Sequence, residues 1–60
     1  MEKIFEFEGY GAIITFYDHG THVVEVSLYL DERRTLQPES VVMTHQEAEK
    51  KIARLSDQSA

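Results

Sequence analysis

A chain of 60 residues with eleven acids against six bases, a formal net charge of −5, has room for one domain and one core. Its acidity disfavours broad contact with nucleic-acid phosphate or anionic lipid. The lack of cysteine excludes disulfides and thiolate metal sites, and an apolar fraction of 42% with three Phe and three Tyr excludes a disordered chain.

No stretch is long and apolar enough to span a bilayer. Glu2 and Glu6 interrupt the start too early for a signal peptide's apolar region, so a cytoplasmic location is the default expectation. A chain this short buries only about 60% of the surface its unfolded form exposes. Without disulfides or a metal, tight packing or association must supply the remaining stability. Residues 1–60 are read as a single domain.

In chain order, the first run is residues 3–8, with Phe5 and Phe7 on one face and Glu6 and Glu8 on the other. A tight turn at Gly9-Tyr10 would bring Phe7 beside Ala12 and Phe5 beside Ile14. The rival arrangement makes residues 3–17 one long bent strand with a glycine bulge. The second run separates Ala12, Ile14 and Phe16 from Ile13, Thr15 and Tyr17.

The third run alternates Val24, Val26, Leu28 and Leu30 against Val23, Glu25, Ser27 and Tyr29. Between the second and third runs, Asp18-His19-Gly20 predicts a three-residue hairpin loop with Gly20 left-handed. That loop pairs Tyr17 with Thr21, sets Ile14 opposite Val24, and makes the two apolar faces coincide. A two-residue loop would instead put them on opposite sides.

Residues 31–40 are polar, contain the only proline, and read as a loop. Val41-Val42-Met43 has the composition of a short fourth edge strand and is too brief to require one. Thr44-His45-Gln46-Glu47 has the form of a capping box, with Met43 placed to staple onto Ala48. Ala48, Ile52 and Leu55 recur on one helical face, which predicts a helix over about residues 45–56, with 57–60 fraying. The fold class is α+β: a three-stranded antiparallel meander, optionally with the short strand at 41–43, then one C-terminal helix in β-β-β-α order.

Signals for chemistry are weak. His19 and His22 diverge in the expected hairpin, and His45 sits in the helix's first turn, so no metal ligand set is expected. The serines lack a histidine with an orienting acid, and Gly9-Tyr10-Gly11 precedes a strand rather than a helix, the wrong setting for a phosphate loop. Neither an enzyme, a cofactor nor a small-molecule ligand is expected.

Two surfaces remain. Ile13, Tyr17, Val23 and Tyr29 would emerge together on the sheet face turned from the helix, a mixture of apolar and tyrosine side chains suited to a protein contact. Arg33, Arg34, Lys50, Lys51 and Arg54 would form a local basic patch if the loop and the helix end lie close. The first surface leads to the favoured reading, a non-enzymatic protein–protein interaction module. It would be a small acidic regulator or inhibitor that binds a protein partner or itself, as a homodimer. The second leads to the alternative, a small nucleic-acid-associated regulator.

Overall fold

The computed structural model describes residues 1–30 and 36–58. Four strands, β1 (Glu2–Gly9), β2 (Ala12–Asp18), β3 (Val23–Leu30) and β4 (Leu36–Met43), are followed by one helix, α1 (His45–Gln58). The strands form one antiparallel sheet in the order β1-β2-β3-β4, an uninterrupted meander. The α+β class, the meander and the C-terminal helix agree with the reading of the sequence, and the fourth strand is present.

β1 and β2 are separate strands joined by a two-residue turn. Gly9 pairs with Ala12, leaving Tyr10 and Gly11 at the tip with φ of 53° and 75°. Positive φ at both central residues is what a hairpin turn matched to the strand twist demands, and Gly11 meets that demand without strain. The turn lies one position later than the Gly9-Tyr10 expectation. Phe7 therefore faces Ile14 and Phe5 faces Phe16, and both pairs still share the expected face. Gly9 serves a different purpose: a Cβ there would stand 3.1 Å from the Phe7 ring, which lies against its backbone. A bulge between Lys3 and Phe5 shifts the register by one near the start of β1.

The second hairpin overturns the expected register. Asp18 pairs with Val23, so the loop contains four residues, 19–22, rather than three. Asp18 Oδ1 accepts a hydrogen bond from the Gly20 amide at 2.7 Å, and the His19 amide donates to the His22 carbonyl at 2.9 Å. These two bonds widen the loop by consuming residues that the three-residue turn would have placed in the ladder. Tyr17 consequently faces Val24, not Thr21, and Ile14 faces Ser27, not Val24. The slip is an odd number of positions, so every β3 side chain changes face relative to β2.

β4 begins at Leu36, so residues 36–40, read as loop, belong to the ladder, with Ser27 facing Glu39 and Leu28 facing Pro38. A proline is tolerated there because β4 is an edge strand, whose outer side needs no amide donor. The first half of the expected loop lies outside the described residues. The helix runs to Gln58, two residues beyond the expected end.

α1 starts as its sequence predicts. Thr44 Oγ1 accepts from the Glu47 amide at 3.2 Å, and Glu47 Oε1 accepts from the Thr44 amide at 3.3 Å. Ala48, Ile52 and Leu55 face the sheet. The core they close consists of Phe16, Val23, Met43 and Ala48, with Phe5 and Ile14 packed against it, and Phe5 and Phe16 meet edge to face at 6.0 Å. The molecule is one sheet and one helix thick, with a shortest dimension of 15 Å.

Candidate protein interface

Register assigns each strand residue to one of the two sheet faces. Even-numbered residues of β2 share the helix-covered face with odd-numbered residues of β3. That face carries Phe5, Phe7, Ile14, Phe16 and Val23, and also Glu25, Ser27 and Tyr29. The opposite face is covered by no described element. It carries three rows across the sheet: Lys3, Tyr17, Val24 and Val42; Glu6, Thr15, Val26 and Ser40; and Glu8, Ile13, Leu28 and Pro38.

The four residues expected to emerge together are therefore divided. Ile13 and Tyr17 lie on the open face. Val23 is completely buried beneath the helix, and Tyr29, though 42% exposed, lies on the helix side in the row of Gly9 and Ala12. The places of Val23 and Tyr29 are taken by Val24, Val26 and Leu28, which the expected register turns toward the helix. The exchange follows from the four-residue loop. β3 is apolar on both faces at its start, so its alternation fits either orientation, and the loop decides between them.

The resulting open face is more apolar than the one expected. Its two central strands contribute Ile13, Tyr17, Val24, Val26 and Leu28, all half-buried or exposed, around Thr15, and β4 adds Val42 at 67% exposure. Charge is confined to the β1 margin, where Lys3 Nζ and Glu6 Oε1 stand 3.6 Å apart and Glu8 follows. The β4 margin holds Val42, Ser40 and Pro38 and no charge. A contiguous apolar patch with charge on one rim has the anatomy of a contact surface.

On the helix side, Glu25 is nearly buried opposite Phe16, and its carboxylate takes a 2.8 Å bond from Lys51 Nζ. Pattern reading could not foresee this pair, because the expected register sent Glu25 to the other face. Beside it, Arg54, Leu55 and Gln58 complete an open hollow of about 240 Å3. That is below the roughly 300–1,000 Å3 of small-molecule sites.

The basic patch is only partly described. Arg33 and Arg34 lie outside the described residues. Lys51 is bound to Glu25, while Lys50 and Arg54 are exposed on a helix that also exposes Glu47 and Glu49. The structure brings the described basic residues no nearer to one another than helical spacing does.

The histidines differ from expectation. His19 and His22 do not diverge: their rings stack in parallel, 5.1 Å apart, with the His22 Nδ1 2.9 Å from the Thr21 hydroxyl. His45 Nε2 reaches Asp18 Oδ1 at 3.1 Å, tying the start of the helix to the β2–β3 loop. The Gly20 amide, then the His45 ring, hold the Asp18 carboxyl below the usual aspartate value. Among the described residues, no three histidine or acidic side chains converge as a metal ligand set. Likewise, no described helix is long and apolar enough to cross a membrane.

Compared with models of protein families, with curated proteins and with solved structures, the chain matches none.

Proposed function

We propose that the chain is a non-enzymatic protein–protein interaction module, a small acidic regulator that acts through the open face of its sheet. The observation that carries this reading is the position of Val24, Val26 and Leu28. All three are partly exposed on the face turned from the only described helix, in one patch with Ile13, Tyr17 and Val42. Scattered apolar side chains occur on any surface, but this set is continuous across three strands.

Energetics favours covering it. The core beneath the helix is small, with Phe7, Phe16, Val23, Met43 and Ala48 the buried apolar residues among those described. Each aliphatic side chain fully withdrawn from water contributes about 1.5–3 kcal/mol, and covering the parts of Ile13, Val24, Val26, Leu28 and Val42 still in contact with water would add a fraction of that for each. A docked protein would realise it.

The test compares the parent chain with Leu28→Glu on the open face and Val41→Glu on the helix side, where the side chain is already 49% exposed. Leu28→Glu is expected to keep the parent's circular dichroism and lose its assemblies, as read by sedimentation and affinity capture. Val41→Glu is expected to keep them. Assemblies that survive Leu28→Glu unchanged would refute the reading.

A further inference from the structure

We propose that Tyr10, at the tip of the β1–β2 turn, is an anchor side chain that enters an aromatic-sized pocket on a partner protein, with a cation at the pocket's rim for Glu8. This rests on the reading of the chain as an interaction module and carries its contact surface from the open face to the adjoining turn.

The backbone singles out Tyr10. Its φ of 53° lies in the left-handed region, as does the 75° of Gly11. A residue with a Cβ is crowded there by the carbonyl that follows. Glycine escapes the clash, and asparagine or aspartate offsets it with a local hydrogen bond. Asn-Gly is therefore the relaxed sequence for such a turn, and Tyr-Gly is strained.

Nothing within the chain offsets that strain. Tyr10 is 89% exposed, and no hydrogen bond or ring contact holds its side chain among the described residues. Gly11 is needed for its φ and Gly9 for the close approach of the Phe7 ring, so both neighbours of Tyr10 lack side chains. The ring stands alone at the tip. One exposed aromatic residue means little by itself. A bulky one held in a disfavoured conformation, with no internal contact in return, has its use outside the chain.

The surroundings define what it meets. The turn adjoins the end row of the open face, in which Glu8 pairs with Ile13. Glu8 is exposed and has no ion-pair partner among the described residues, and the exposed Glu6 lies two positions further back. Carboxylates beside the ring repel nucleic-acid phosphate and anionic lipid, which argues against base stacking and membrane insertion. A protein pocket fits. Tyrosine is enriched among the residues that carry binding energy, because its ring fills an apolar pocket while its hydroxyl finds a polar partner. A second copy of this chain is a poor host, since the hollow beside Glu25 is open rather than enclosing.

Thermal melts test the strain. Tyr10→Asn is expected to melt about 5 °C above the parent, and an unchanged or lower midpoint overturns the argument. Photo-cross-linking tests the contact. A chain with a benzophenone amino acid in place of Tyr10, irradiated in soluble extract of the source cells, is expected to form an adduct with one protein. Unmodified parent chain should compete for that protein. Tyr10→Asn should compete at least about thirtyfold less well, the loss typical of an anchor residue.

No adduct, or equal competition by the parent and Tyr10→Asn, overturns the anchor. An adduct between two copies of the chain overturns the separate partner. Leu28→Glu separates the anchor from the reading beneath it. If Leu28→Glu competes as well as the parent and Tyr10→Asn does not, the open-face reading fails and the anchor stands. The reverse pattern removes the anchor and leaves the open face as the contact.

Discussion

Asp18 shows how much of this fold depends on one short side chain. Its carboxylate accepts from the Gly20 amide inside the β2–β3 loop and meets the His45 ring at the start of the helix, so it joins two elements through one oxygen. Both contacts favour the charged form and hold its pKa below the ordinary aspartate value. A lowered pKa in the folded state means a contribution that is complete above the unfolded value, near about 3.9, and is lost as pH falls through the lowered folded value. Asp18→Ala is therefore expected to melt earlier than the parent at pH 7, with the difference shrinking once both are measured in strong acid. Thermal melts followed by circular dichroism at neutral pH and near pH 2 decide it. A gap of the same size at both would show that charge is not involved.

At the scale of elements, the helix is the part whose start and packing stripe are written most locally. Thr44 and Glu47 cap each other's amides, and Ala48, Ile52 and Leu55 make the sheet-facing stripe that their spacing predicts, Ala48 buried and the other two half-buried. Because the cap satisfies amides that would otherwise lack a partner, Thr44→Ala is expected to cost about 1 kcal/mol. Urea unfolding should show this as a lower midpoint at unchanged slope. The strands were legible as strands for a similar reason, since alternation and β-branched content are local properties. β1 and β2 also kept their expected faces, because moving the turn from Gly9-Tyr10 to Tyr10-Gly11 shifts the pairing by an even number of positions. The second hairpin shifted by an odd number, and that difference of parity separates Ile13 and Tyr17, which lie on the open face, from Val23 and Tyr29, which lie on the helix side.

For the molecule as a whole, the one helix among the described residues lies over one face of a four-stranded sheet, and the other face is left apolar. If that face is closed by a second copy, folding and association are linked, and stability depends on protein concentration. The melting temperature is expected to rise by about 5 °C for each tenfold increase in concentration, given the entropy of unfolding of two such chains. Val26→Glu should remove the dependence. A midpoint that is constant with concentration would place all the stability in the single chain. The net charge of −5 per chain adds repulsion between copies, so added salt should strengthen the association.

The sequence by itself determined the kinds of element, their order, the capped start of the helix and its buried stripe. Each of these depends on neighbours within a few positions. It pointed to the wrong face of β3 as the inward one, because Val23 and Val24 offer an apolar side chain to either. It also read residues 36–40 as loop, because Gln37, Pro38, Glu39 and Ser40 carry no strand pattern and pair only by virtue of lying beside β3. The tertiary structure decided both. The loop at Asp18 set the parity of β3, which buried Val23 under the helix and brought Glu25 to Lys51. The same turn of the strand placed Val24, Val26 and Leu28 on the open face, where the proposed contact lies.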